Sequence, residues 1–163
     1  MNNMKRIAIA SDHAGLELKN SIIDYLKQKL YIYKDFGCFD SKPVDYPDYA
    51  LKVGRVIIDN EYQLGILICG TGIGMSIAAN KIKGIRAALC HNTFSARMSK
   101  EHNRANILTM GGRVIAKGLA QEIVKVWLMA EFNQETRHIV RLQKVEDIYE
   151  SCQGAKGANI KDN

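Results

Sequence analysis

Most patterns that would assign this chain to a specialised class of protein are missing from its sequence. It has only four cysteines in 163 residues, at positions 38, 69, 90 and 152, and they show neither CxxC spacing nor the density of a disulfide framework. No pair of Cys or His residues has zinc-ligand spacing with a matching second pair. We therefore expect free thiols in the cytoplasm and no metal site.

Long apolar runs are missing as well. The apolar stretch from Ile7 to Ala10 has only the length of a strand, which predicts neither a signal peptide nor a membrane span. The composition, 47% hydrophobic and 25% charged, is typical of a globular protein. We expect one domain over residues 1–151 and a flexible tail over residues 152–163.

The net charge of +6 is spread along the chain except for a C-terminal cluster. This distribution does not require a nucleic-acid or membrane partner, because a small anionic substrate explains it equally well.

Short apolar runs alternate with amphipathic helical runs, which predicts parallel strands joined by crossover helices. The five predicted strands are roughly 6–10, 32–36, 64–69, 86–90 and 107–110, and a last helix covers about 139–151. The first helix is expected to present Ile22, Ile23, Leu26 and Leu30 on one apolar face.

Polar residues follow the predicted strands where ligands bind in such sheets, outside the carboxyl ends. They are Ser11-Asp12-His13, Cys69-Gly70-Thr71, His91-Asn92 and Gly111-Gly112-Arg113. We expect one mouth to collect these groups.

The loop after the third strand carries the strongest signal. Cys69 is followed by three glycines spaced by two, Gly70, Gly72 and Gly74, at the start of a helix. Glycines let successive backbone amides face one oxyanion. The start of a helix stabilises the thiolate form relative to the thiol, whose reference pKa is about 8.5. Cys69 is therefore a candidate base or nucleophile. An inert buried thiol beside a plain turn is the alternative.

Nucleotide motifs do not fit this loop. The third glycine of a dinucleotide fingerprint falls at Met75, and the G-K-[ST] ending of a P-loop is missing. A cradle for a small oxyanion is the interpretation that survives.

Two further groups stay open between a chemical and a structural role. His102-Asn103 ends a helical segment, where a histidine is either a proton donor or a capping residue. Arg137 and Arg141 have i, i+4 spacing, which suits either a phosphate dianion or a solvated basic face.

Together these residues resemble the ribose-5-phosphate isomerase type B family, which includes galactose-6-phosphate isomerase subunits. The resemblance covers residues 5–149 and is carried by Ser11-Asp12-His13-Ala14-Gly15, Asp45-Tyr46-Pro47, the segment 68–81, Gly84-Ile85-Arg86-Ala87, His102-Asn103, Gly111-Gly112-Arg113 and Arg137-His138. It implies a Rossmann-like three-layer α/β/α fold with a five-stranded parallel sheet. It also implies a homodimer or dimer of dimers with shared active sites, in which the C-terminal helix packs on a partner subunit.

The resemblance also implies roles for individual residues. Cys69 would be the base, supported by Thr71, and the amides from Gly70 through Gly72 and Ile73 to Gly74 would stabilise an enediolate. His102 would help to open the sugar ring with Asp12 nearby, and Asn103 would contact the sugar. His13, Arg113, Arg137 and Arg141 would hold the phosphate, the last two from the partner chain. A second branch of the family uses a later glutamate, but Met75 stands at that position.

The expected activity is interconversion of ribose 5-phosphate and ribulose 5-phosphate in the non-oxidative pentose phosphate pathway, without a cofactor. An allose-6-phosphate or galactose-6-phosphate isomerase is the enzymatic alternative. A non-catalytic phosphosugar-binding module and a cysteine-dependent hydrolase are the alternatives from other classes.

Overall fold

The computed structural model describes residues 5–154 and divides the chain into two compact units. The first unit ends at Phe132 and contains the whole sheet. The second begins at Asn133, and its helix, α6, covers Thr136–Gly154.

One parallel sheet of five strands forms the centre of the first unit, as predicted. The strands are β1 Ile7–Ser11, β2 Tyr33–Asp35, β3 Leu64–Cys69, β4 Ala87–Leu89 and β5 Ile107–Gly111. Their order is β2-β1-β3-β5-β4. The two edge strands, β2 and β4, are each one residue shorter at both ends than the sequence predicted. Thus β1, β3 and β5 form the long middle of the sheet.

Helices cover both faces of this sheet, so the predicted three-layer α/β/α architecture is confirmed. They are α1 Leu16–Gln28, α2 Tyr46–Ile58, α3 Ile73–Ala79, α4 Thr93–Glu101 and α5 Lys117–Met129, with a short 3₁₀ turn at His13–Gly15. Core residues of α1, α4 and α5 pack on one face, and those of α2 and α3 pack on the other.

The strand β3 shows why two cores form. All six of its residues are buried, and successive side chains of a strand point to opposite faces. Ile66 and Ile68 therefore join the core under α1 and α5, whereas Leu67 and Cys69 join the core under α2 and α3. Each fully buried aliphatic side chain contributes about 1.5–3 kcal/mol to folding, so the position of Cys69 is fixed by a strand that packs on both sides.

The structure corrects two predicted helix boundaries. Leu30 lies beyond α1, with φ of 58° and an 81% exposed side chain, because the chain turns out of the helix at Lys29. The last helix begins at Thr136 and ends at Gly154, so it includes residues 152–154 of the expected tail. Residues 155–163 lie outside the described residues. None of the helices within residues 5–154 is long and apolar enough to cross a bilayer.

Candidate active site

The strand order of the sheet reverses between β1 and β3. The connection from β1 leads outward to β2, whereas the connection from β3 leads the opposite way, through α3, to β4. The helices that follow, α1 and α3, lie on opposite faces of the sheet. Ligands of open α/β sheets bind where the strand order reverses in this way. We call the region outside this carboxyl edge, between the loops that begin at Asp12 and Gly70, the crevice.

Cys69 ends β3 at this point. Its side chain is 4% exposed, and its sulfur accepts a hydrogen bond from the Gly72 amide at 3.2 Å. Such a bond strengthens when the sulfur carries a negative charge. The thiol is thus held in one orientation beside the glycine-rich loop, as the sequence predicted.

Gly72 allows the chain to make this turn. Its φ is 79°, which L side chains rarely adopt, and an added Cβ would lie 2.5 Å from Leu89 Cδ1 and 2.7 Å from the Met110 carbonyl carbon. A side chain at this position would therefore push the loop away from β5 and disturb the bond to the Cys69 sulfur.

The cradle is smaller than the sequence suggested, because two of its amides are used inside the loop. The Gly72 amide donates to Cys69, and the Ile73 amide donates to Thr71 Oγ1 at 3.3 Å. Thr71 itself is exposed. Its hydroxyl therefore shapes the helix start and is open to a ligand at the same time.

The loop after β5 is fastened to the loop after β3. The Gly112 amide donates to the Cys69 carbonyl at 2.8 Å, and the Arg113 amide donates to the Gly70 carbonyl at 3.0 Å. The Arg113 side chain packs over Gly70, where an added Cβ would lie 3.6 Å from Arg113 Nη1. A guanidinium group is thereby brought to the cysteine loop.

Asp12 and His13 occupy the opposite side of the crevice. Asp12 is buried, and its Oδ1 accepts a hydrogen bond from the Gly15 amide at 2.9 Å, so it caps the 3₁₀ turn. Its own amide donates to the Ile68 carbonyl at 3.1 Å, one residue before Cys69. His13 Nδ1 accepts from the Val44 amide at 3.2 Å, which leaves Nε2 as the proton-bearing nitrogen of the neutral ring.

Tyr46 contacts the glycine-rich loop and was not among the predicted site residues, whereas His91 was expected only as one of the polar groups that follow the strands. The Tyr46 ring packs against Gly74, since an added Cβ there would lie 2.7 Å from Tyr46 Cζ. His91 follows β4, and its Nε2 is enclosed without a hydrogen-bond partner among the described residues. For Tyr46, the signal in the sequence was an aromatic residue before a proline at a helix start, within the segment that carries the family resemblance.

Comparison with known proteins assigns this arrangement to a family. A model of the family described as Ribose/Galactose Isomerase matches residues 7–145. The chain belongs to the ribose/galactose isomerase family. It is an isomerase with the Rossmann-like fold that the resemblance implied.

Three relatives place the chain within this family. The structure of ribose-5-phosphate isomerase B from Clostridium thermocellum is 50% identical, with a TM-score of 0.88 over 90% of this chain and 99% of that one. Ribose-5-phosphate isomerase B of Escherichia coli is 43% identical over 89% of this chain and 97% of its own. D-erythrulose-4-phosphate isomerase of Pectobacterium atrosepticum is 48% identical over 79% of this chain and 86% of its own.

Two residues expected in the isomerase site, His102 and Asn103, lie at the other edge of the sheet. They follow α4, which runs back from the carboxyl end of β4 toward the start of β5. Lys100 and Arg104, on either side of them, line a cavity together with Leu64 at the start of β3. The structure therefore does not bring His102 and Asn103 to Cys69 within one chain.

Arg137 and Arg141 belong to the second unit. Both lie in α6, one helical turn apart, as the i, i+4 spacing predicted. Arg137 Nε donates to Glu135 Oε2 at 2.7 Å. Their role in holding phosphate stays a prediction.

Cys90 provides an internal comparison for Cys69. It directly follows β4 and is also buried, but burial raises the pKa of its thiol to about 11, partly offset by a hydrogen bond with Ser99. A thiol with that pKa is protonated at neutral pH and is a poor base. Of these two cysteines, only Cys69 has a loop amide on its sulfur.

In the described part of the chain, no three or more His, Cys, Asp and Glu side chains are grouped closely enough to hold a metal ion.

Proposed function

We propose that this isomerase interconverts ribose 5-phosphate and ribulose 5-phosphate through an enediolate. The observation that carries the proposal is the Gly72 amide at 3.2 Å from the Cys69 sulfur, in the crevice that also holds Asp12 and Arg113. Aldose–ketose isomerisation needs a base that takes and returns a carbon-bound proton, and donors for the enediolate oxygen. A candidate base, Cys69, and backbone amide donors both lie at this loop.

In the proposed reaction, the Cys69 thiolate removes the proton from C2 of the open-chain aldose. The electron pair moves to give the enediolate, whose oxygens face the loop amides and Thr71. The proton of the 2-hydroxyl passes to O1 and the thiol returns its proton to C1, which leaves the ketose and regenerates the thiolate. No electrons leave the substrate, so this chemistry needs no redox partner.

The phosphate is assigned to cationic and donor groups at the rim. Arg113 lies over Gly70, and His13 has Nε2 as its proton-bearing nitrogen. A guanidinium group and an imidazole N–H suit the oxygens of a phosphate monoester. Arg137 and Arg141 of α6 are proposed to add a two-guanidinium fork, supplied by a partner chain.

Sharing of sites between two chains follows from where His102 lies. If His102 is the ring-opening acid, as the family resemblance implies, it acts in one site with the Cys69 of another chain. We therefore propose a homodimer, or a dimer of dimers, in which the α4 end of one chain completes the crevice of the other. The isologous contact of a two-fold dimer would complete both sites at once.

The relatives support this substrate class without fixing the sugar. Those named ribose-5-phosphate isomerase B favour a five-carbon substrate, whereas one relative is named for a four-carbon phosphate. The sheet, the cysteine loop and Arg113 are compatible with either, because they act on the C1–C2 end and on the phosphate.

A substrate panel tests the proposal. Purified protein in EDTA is assayed with ribose 5-phosphate, allose 6-phosphate, galactose 6-phosphate and erythrulose 4-phosphate. We expect the highest kcat/KM with ribose 5-phosphate. A higher value with any of the others would replace the assigned sugar, and binding of all of them without turnover would favour a phosphosugar-binding module. Covalent acyl-enzyme trapping at Cys69 would support the hydrolase alternative.

A further inference from the structure

Residues 36–45 connect β2 to α2 at the carboxyl edge of the sheet. At the start of this segment, the Gly37 carbonyl accepts a hydrogen bond from the Ser11 amide at 2.6 Å, and the Cys38 amide donates to the Ser11 carbonyl at 2.7 Å. The Lys19 ammonium group also donates to the Cys38 carbonyl. The beginning of the segment is thus fastened to the end of β1.

The other end of the segment is held by α2. This helix begins at Tyr46, whose ring packs against Gly74 on the far side of the crevice. Tyr49 packs against Gly37, where an added Cβ would lie 2.8 Å from Tyr49 Cε1. Val44 lies two residues before the helix, so its backbone is held between two anchored ends.

The Val44 amide contacts a side chain of the predicted site. It donates a hydrogen bond to Nδ1 of His13 at 3.2 Å, across 31 positions of sequence. Only a ring nitrogen without a proton accepts such a bond, so the proton of the neutral ring lies on Nε2. His13 is half-buried and begins the 3₁₀ turn that Asp12 caps. The backbone of a distant segment therefore selects one of the two tautomers of this ring.

The selected tautomer is the one that suits an anion. An Nε2–H group donates to a phosphate oxygen, whereas the other tautomer would present the lone pair of Nε2 to that oxygen. The bond at Nδ1 also fixes the direction of the ring, because hydrogen bonds weaken steeply when they bend. A ring that is already oriented loses less freedom when a ligand binds, and this saving raises affinity.

We propose that the Val44 amide is a positioning group of the isomerase, which holds His13 as the Nε2–H tautomer and directs that donor to the substrate phosphate. The proposal rests on the proposed function, because that function assigns phosphate to His13. Val44 acts here through its main chain and not through its side chain. A valine is therefore not required at this position, but an amide proton is.

Nitrogen-15 NMR of the histidine rings tests the tautomer without any substrate. The chain has four histidines, and comparison with His13→Ala identifies the signals of His13. In the native protein at neutral pH, we expect a pyridine-type signal for Nδ1 and a pyrrole-type signal for Nε2. In Val44→Pro, which lacks the amide proton, both signals should move toward an average of the two tautomers. A native ring with its proton on Nδ1, or with protons on both nitrogens, would overturn the proposal.

Inorganic phosphate is the probe for the binding role, because its affinity does not depend on which sugar the enzyme isomerises. Binding is followed at the amide signals of Gly70 and Arg113. Val44→Pro should weaken it about tenfold, roughly the effect of losing one hydrogen bond to a charged group. Val44→Ala keeps the amide and should restore the native affinity. If these results hold but ribose 5-phosphate is not turned over, the proposed function fails and the positioning role is supported.

A double-mutant cycle separates positioning from a general disturbance of the segment. In a His13→Ala background, Val44→Pro should cause no further loss of phosphate affinity, because the ring through which the amide acts is missing. An equal loss in both backgrounds, or no loss in the native background, would overturn the proposal. If Val44→Pro does not fold, the ring signals of the native chain and of Val44→Ala still decide the tautomer.

Discussion

Cys69 and His102 lie at opposite edges of the same parallel sheet. Cys69 is the last residue of β3, and His102 follows α4 on the way to the start of β5. The amide of Asn106 donates to the Arg86 carbonyl, just before β4, which places this end of α4 at the amino edge. Two groups so placed act on one sugar only when two chains meet.

Mixing two inactive variants tests the shared site. Cys69→Ala and His102→Ala should each lose most activity, and equal mixing with free exchange should restore about a quarter of the sites in a two-fold dimer. Turnover is measured after subunit exchange has been verified by native mass spectrometry. Exchange without recovery would argue for a site within one chain.

Gly72 should not tolerate a side chain. Gly72→Ala places a Cβ 2.5 Å from Leu89 Cδ1 at φ of 79°, so we expect a loss of at least about 1–3 kcal/mol in the free energy of unfolding, together with a loss of turnover. Urea denaturation measures the first and product formation the second. Gly118→Ala is the matched control. No atom lies within 4 Å of its added Cβ, and the change should stabilise α5 by up to about 1 kcal/mol.

Lys19 should be needed for folding around the crevice. It is fully buried, and its Nζ donates to both Asp35 oxygens, at 2.9 and 2.8 Å, and to the Cys38 carbonyl. Lys19→Met leaves the Asp35 carboxylate without its cation and should cost about 3–5 kcal/mol. The double variant Lys19→Met/Asp35→Asn should recover part of that loss. A single variant as stable as Lys27→Met would contradict this interpretation.

Lys100 should make stability depend on pH. Its pKa is about 8 in the fold against 10.5 in the unfolded chain, so the unfolded state binds more protons between these values. The free energy of unfolding of the native chain should therefore rise with pH across that window, relative to Lys100→Met. At pH 7 the variant should be the more stable protein, and by pH 10.5 its advantage should have disappeared. Urea denaturation at pH 7 and pH 10 measures the change, and a pH-independent difference would contradict it.

Much of this fold can be predicted from local patterns of the sequence. These patterns are the hydrophobic periodicity of each element and the residues at the strand ends. The apolar run 64–69 predicted β3 with the observed bounds, and the thiol lies at its carboxyl end as expected. Because α4 connects two parallel strands, it must run back to the start of β5. This direction already predicts that His102, at the end of α4, lies at the amino edge. The family resemblance implied only that it belongs to the isomerase site with Asp12 nearby.

Other parts of the site depend on contacts between distant segments. The Tyr46 ring over Gly74 and the Lys19–Asp35 pair each join residues more than ten positions apart. Such contacts depend on how helices seat on the sheet, which hydrophobic periodicity does not specify. The internal use of the Gly72 and Ile73 amides likewise depends on one positive φ.

Cys69 is proposed to move the proton between C2 and C1, and one comparison of variants tests this role. Ribose 5-phosphate turnover is measured for Cys69→Ala and Cys90→Ala, with ribulose 5-phosphate binding measured in parallel by calorimetry. We expect Cys69→Ala to lower kcat by about 10²–10⁴-fold while product still binds, and Cys90→Ala to retain turnover. Substantial turnover by a folded Cys69→Ala protein would show that Cys69 is not the base.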